Sequence, residues 1–163
     1  MLSSLRFGNE GALRQIFDRH YPLLLNDIYR LIPDESTCQD LAQELFVDLW
    51  HKREELDIHT SLRAYLRRAA VNKSLNYIKS ARRLQFEEAD ELTYLPDTTV
   101  LDIQKRENQE SLEEALHEAI RTLPEKCRIV FNLSRFEQLS HREIAEKLGI
   151  SVKTIENQIT KAM

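Results

Sequence analysis

The chain has 163 residues, a formal net charge of −4, 42% hydrophobic residues and 31% charged residues. With only 3 Gly and 4 Pro it lacks the turn residues that a β-sandwich or a Rossmann fold needs. No apolar run approaches the ~18 residues of a membrane span, Met1–Arg6 does not pair a basic stretch with an apolar one, and Cys38 and Cys127 make no disulfide framework. These features point to a cytoplasmic protein without membrane insertion.

Helical periodicity runs through most of the chain. Ala12, Leu13, Ile16 and Phe17 predict a first helix from about Glu10 to His20, and Pro22 fits the opening of a second carrying Leu24, Leu25, Ile28, Leu31 and Ile32. Ser36-Thr37-Cys38-Gln39 reads as a capping box before a third helix with Leu41, Ala42, Leu45, Phe46 and Leu49 inward. A fourth runs from about Ser61 to Arg83, with Leu62, Tyr65, Leu66, Ala69, Ala70, Leu75 and Ile78 inward. Residues 84–104 lose the periodicity and read as an acidic linker. A fifth helix is expected from Lys105 to Thr122, and Pro124 opens a sixth. The expected fold is all-α: two small helical domains, 1–83 and 105–163, joined by the linker.

Charge is distributed in blocks. Residues 1–62 carry −5, residues 63–83 carry +7 with no acid, residues 84–118 carry −9, and residues 119–163 carry +3. A basic block with apolar residues at helical spacing suits a polyanion-binding helix. The acidic segment that follows either serves solubility, follows a channel in a partner, or covers the basic helix when no partner is bound.

The C-terminal segment carries the most specific pattern. Ser140-His141-Arg142-Glu143 is a capping box, Gly149 stands where a left-handed residue is needed, and Ser151 caps a last helix with Val152, Ile155 and Ile159 inward. Such a pair is a helix-turn-helix, whose second helix enters the DNA major groove. Its outward residues are Lys153, Thr154, Glu156, Asn157, Gln158, Thr160 and Lys161. Lys153, Thr154 and Lys161 suit phosphates, Glu156 can accept from cytosine and Asn157 can read adenine. Arg142 can clamp the backbone.

Two further surfaces stand out. On the fourth helix, Arg63, Arg67, Arg68, Lys73, Lys79, Arg82 and Arg83 surround Asn72, Asn76 and Tyr77, a mixture that suits nucleic-acid backbone and unpaired bases. On the third helix, Asp40, Gln43, Val47 and Trp50 form a stripe beside the core residues, with Glu44 and Asp48 close by, which suits a helix-on-helix protein contact.

Asp40 through Trp50, and Leu62 through Asn72 continuing to Arg83, resemble the second conserved region of bacterial RNA polymerase sigma factors. Leu123-Pro124 through Ala162 resembles the fourth, above all in Leu139–Ala145 and Gly149–Ile155. With only a linker between these regions, the chain resembles the extracytoplasmic-function group. The resemblance implies a transcription initiation factor that binds core RNA polymerase and promoter DNA, melts the DNA without a cofactor, and has an anti-sigma partner. It implies that Asp40, Gln43, Glu44, Val47 and Trp50 dock on polymerase. Arg63, Arg67, Arg68, Asn72, Lys73, Asn76, Lys79, Arg82 and Arg83 fall on the −10 side, with Asn72 at an extruded base. Arg142, Ser151, Lys153, Thr154, Glu156, Asn157, Thr160 and Lys161 fall on the −35 side. Three departures are visible: Tyr65 replaces a commoner tryptophan, Glu156 stands where many members carry Arg or Lys, and the chain stops at Met163, where members usually continue with basic residues. The rival reading is the helix-turn-helix output module of a response regulator, which needs neither the basic helix nor the third-helix stripe. A Gly-rich phosphate loop, zinc spacing and a nucleophile elbow are all missing from the sequence, so an enzyme is not expected.

Overall fold

The computed structural model describes residues 1–82 and 109–163. The expected linker, Arg83 and the start of the expected fifth helix lie outside the described residues, as does the side chain of Arg82. The described residues form eight helices and no strand. The chain divides into two compact units, 1–84 and 85–163.

In the first unit α1 (Leu2–Arg6), α2 (Glu10–Tyr29), α3 (Glu35–His51) and α4 (Leu62–Arg82) pack around one core. Leu5, Ile16, Leu24, Ile28 and Leu66 are fully buried. The short α1 carries too few apolar residues for a periodic signal, yet Leu5 anchors it on α2. A single helix, α2, replaces the two helices expected around Pro22. Pro22 removes one backbone donor, but Ile16, His20, Leu24 and Ile28 continue one buried stripe across it, and burial of that stripe outweighs the missing bond. The start of α3 also differs from expectation. Asp34, not Ser36, caps it, its side chain accepting from Thr37 N at 2.9 Å. The expected core positions of α3 are all buried, joined by Cys38. Burial holds the Cys38 thiol up at about 11, and its Sγ donates to Ile32 O at 3.2 Å. Along α4, Val71 and Ser74 are buried beyond the expected set, while Leu62, Tyr65 and Ala69 are only half-buried. Ser74 tolerates burial because its hydroxyl donates to Ala70 O at 2.8 Å.

In the second unit α5 is Gln109–Thr122, α6 is Glu125–Arg135, α7 is His141–Leu148 and α8 is Val152–Ala162. Helices α6, α7 and α8 pack on one another over Ile129, Val130, Leu133, Ile144 and Ile155. The caps read from sequence are present. Ser140 N donates to Glu143 Oε2 at 2.7 Å and Glu143 N donates to Ser140 Oγ at 3.2 Å, closing the capping box. The bond from the Ser140 N–H, and then the Ser140 hydroxyl, hold the Glu143 carboxyl below its ordinary value. Gly149 ends α7 at φ +70°, and its N–H and that of Ile150 both donate to Ala145 O. Ser151 caps α8 by accepting from Thr154 N at 3.1 Å.

Candidate nucleic-acid and protein interfaces

On α8 most of the residues expected outward are exposed, while Thr154 is half-buried and Gln158 is buried. Lys153, Glu156, Asn157, Thr160 and Lys161 are exposed. Their spacing of three and four places them on one face. Gln158 is buried instead, and its Oε1 accepts from Cys127 Sγ of α6 at 2.9 Å. It sits three residues after Ile155, on the inward side, while Val152 stays 40% exposed. The hydroxyls of three expected contacts, Ser151, Thr154 and Thr160, are already used within the unit. Thr154 Oγ1 lies 2.8 Å from Ser151 Oγ, and Thr160 Oγ1 donates to Glu156 O. That leaves the charges of Lys153 and Lys161, the Asn157 amide and the Glu156 carboxylate as the groups best placed to meet a groove. His141 Nδ1 stands 3.9 Å from Glu156 Oε1, and Arg142 is exposed beside Glu146 at 3.5 Å.

The basic helix α4 is less uniform than its sequence suggests. The expectation of seven cations without compensating acid is corrected by α2 and α3. Arg63 Nη2 donates to Asp27 Oδ2 at 2.6 Å, and the Asp27 side chain is only 5% exposed. Arg30 adds a second cation at 3.5 Å. Arg63 therefore ties α4 to α2. Lys73 Nζ donates to Asp48 Oδ2 at 2.9 Å and lies 3.2 Å from Glu44 Oε2, both on α3. The hydrogen bond from Lys73 holds the Asp48 carboxyl below its ordinary value. Burial by itself pulls Lys73 down, but its bonds to Asp48 and Glu44 outweigh it and raise the ammonium above the usual lysine range. Arg68, Asn72, Asn76 and Lys79 are exposed along one side of the helix, and Arg67 is half-buried. Sequence reasoning missed the Arg63–Asp27 pair. Its signal was available: Asp27 stands between Leu24 and Ile28 on the apolar stripe of α2, where a carboxylate requires a cation.

Tyr65, Asn72 and Asn76 line a cleft of about 220 Å³ between α3 and α4, together with Asp48, Lys52 and Lys73. On α3, Asp40, Gln43, Glu44 and Val47 are exposed, and Val47 is 54% accessible. Trp50 is half-buried under the Arg53 guanidinium, 4.5 Å above its ring. Gln43, Val47 and Trp50 share an open groove with Leu13, Phe17 and Phe46. The stripe thus offers a hydrophobic floor with an acidic edge.

Residues 16–84 match the family described as Sigma-70 region 2, and residues 113–163 match Sigma-70, region 4. The RNA polymerase sigma-E factor of Streptomyces avermitilis is 30% identical over 86% of this chain and 74% of its own length. The ECF RNA polymerase sigma factor SigW of Bacillus subtilis is 25% identical, over 97% and 88%. CnrH, solved in complex with the cytosolic domain of CnrY, shares the fold at a TM-score of 0.51 and 24% identity, covering 99% of this chain and 88% of that one. The region 2 match sets aside the response-regulator reading, which has no place for such a unit. No helix among the described residues is long and apolar enough to cross a membrane. The chain belongs to the sigma-70 family of RNA polymerase sigma factors, in its extracytoplasmic-function group.

Proposed function

We propose that the chain works in the cytoplasm as the promoter-specificity subunit of RNA polymerase, its two units reading two promoter elements. The carrying observation is the pairing, in one chain, of an amide-and-cation stripe on α4 with a capped helix-turn-helix. The exposed Arg68, Asn72, Asn76 and Lys79 of α4 take the −10 region, cations on phosphate and amides on unpaired bases. Arg67 extends this surface, and Arg82 and Arg83, expected on the −10 side from the sequence, lie outside the described side chains. On α8, Lys153 and Lys161 hold phosphates while Asn157 and Glu156 face base edges of the −35 element. The Asp40–Trp50 stripe of α3 docks on core polymerase through its apolar floor and acidic edge. An anti-sigma protein is the inhibitor class that the family implies.

Initiation by this route uses binding alone: DNA opens because exposed bases and phosphates of one strand are held better than the duplex. The test is run-off transcription with core polymerase on a promoter library, followed by start-site mapping. The reading expects defined start sites that depend on the chain. Failure to co-purify with core polymerase, together with no added start sites, would contradict it.

A further inference from the structure

Lys73 stands between two clefts of different character. On one side of α3, Asp40, Gln43, Glu44 and Val47 surround an open depression on the docking stripe. On the other side lies the narrower cleft with Tyr65, Asn72 and Asn76. Asp48 lines both. Its side chain is 54% exposed, so nucleic acid entering the Asn72 cleft meets a carboxylate in the wall. A bare carboxylate there opposes every phosphate that passes. Lys73 answers that charge at 2.9 Å, and its own side chain is only 24% exposed, less than half the exposure of Asp48. Its ammonium is also engaged by Glu44 at 3.2 Å. A phosphate seeking Lys73 must compete with two carboxylates already in place and approach Asp48 to do so. The exposed Arg68 lies on the same helix.

We propose that Lys73 is a positioning residue that cancels the Asp48 charge in the wall of the α3–α4 cleft, and that it is not itself a phosphate ligand. The lowered Asp48 carboxyl and raised Lys73 ammonium accord with a pair that stays ionised and net neutral. A neutral pair presents a dipole whose field falls off faster than that of a single charge, so the strand crosses a wall without net repulsion. This role separates the acidic docking stripe from the DNA side of the same small unit. It rests on the reading of α4 as a promoter-DNA surface, and the experiment keeps the two apart.

The test uses the full chain bound to core polymerase and a fluorescent forked promoter carrying a single-stranded −10 non-template strand. Binding is measured across a salt series for wild type, Lys73→Gln, Asp48→Asn and the double variant. Lys73→Gln should weaken binding about two- to five-fold, the range of one exposed charge pair. The double variant has the same net charge as the native pair, and should return to wild-type affinity and salt slope. Lys73→Arg should also bind like wild type. If the Lys73→Gln loss persists undiminished beside Asp48→Asn, with a slope lowered by about 0.7–0.9, Lys73 is a phosphate ligand and the proposal fails. An unaltered affinity for Lys73→Gln would overturn it as well. Should Lys73→Gln not fold alone, the double variant against wild type decides: equal affinity and salt slope support the role, and a loss with a lowered slope refutes it. Arg68→Gln is the control for the underlying reading. If it too binds like wild type, α4 is not the DNA surface, and the role of Lys73 falls with it.

Discussion

The two helices that face DNA in this reading, α8 and α4, are built in opposite ways. The turn that starts α8 is built within about a dozen residues, from the Ser140–Glu143 box, the left-handed Gly149 and the Ser151 cap, and packing on α6 then holds the helix in place. Its exposed polar residues have few competitors inside the unit. Helix α4 is aimed by residues far away in sequence. Arg63 meets an acid 36 positions earlier and Lys73 meets one 25 positions earlier. Charges that look equivalent along α4 therefore divide into those that hold the unit together and those left to face a ligand. A basic block gives the sign of the field, while partners on neighbouring helices decide which cations supply it.

That division is open to direct challenge. The largest effect is expected at Asp27. Asp27→Ala leaves Arg63 and Arg30 without their buried acid and should destabilise the first unit by about 3–5 kcal/mol in chemical unfolding. Arg68→Ala should stay within about 0.5 kcal/mol of wild type, as an exposed surface substitution does. Equal effects of the two would erase the distinction between structural and ligand-facing cations.

The local construction of α8 predicts intermediate effects. Asn157→Ala should cost roughly 1–3 kcal/mol of discrimination at one base pair of the −35 element, and Lys153→Ala should weaken all sequences alike while lowering the salt slope by about 0.9. Binding to a randomised duplex library at several salt concentrations separates the two. Gly149→Ala should cost the second unit about 1–2 kcal/mol from backbone strain alone, since a Cβ there meets nothing within 4 Å. Thermal unfolding measures it.

The contrast between α8 and α4 also explains what could be read from the sequence. The helix-turn-helix was legible because caps and a turn glycine act over three or four residues. The core face of α3 was legible because periodicity needs no distant partner. Pro22 misled because its local signal is a helix start, and only the packing of Ile16 through Ile28 reveals that one helix continues. Gln158 misled because a polar residue at an inward position is satisfied by Cys127, 31 positions earlier. The acid partner of Lys73 was hidden for the same reason, and that of Arg63 was signalled only by the place of Asp27 on the apolar stripe of α2. On α3, by contrast, the exposed Asp40–Val47 stripe follows from periodicity once Leu41, Leu45 and Leu49 are assigned inward.

The smallest expected effect concerns pH. His20 is buried on α2, and burial, then Arg19 and Arg63, keep its imidazole below the ordinary value of 6.5. The unfolded chain therefore takes up a proton that the folded unit resists. Stability should be full above about pH 6.5 and decline as pH falls through that value toward the lower folded one. Melting curves from pH 7.5 to 5 should show the decline, and His20→Gln should flatten it. A decline of the same size in the variant would assign it to other groups.

The central claim, that two separate surfaces read two promoter elements, is met most directly by promoter selection. Polymerase carrying wild type, Asn72→Ala or Asn157→Ala would transcribe one library randomised across both elements, and the active promoters would be sequenced. The account predicts that Asn72→Ala relaxes preference only in the −10 element and Asn157→Ala only in the −35 element. Both variants relaxing the same element, or neither relaxing any, would contradict it.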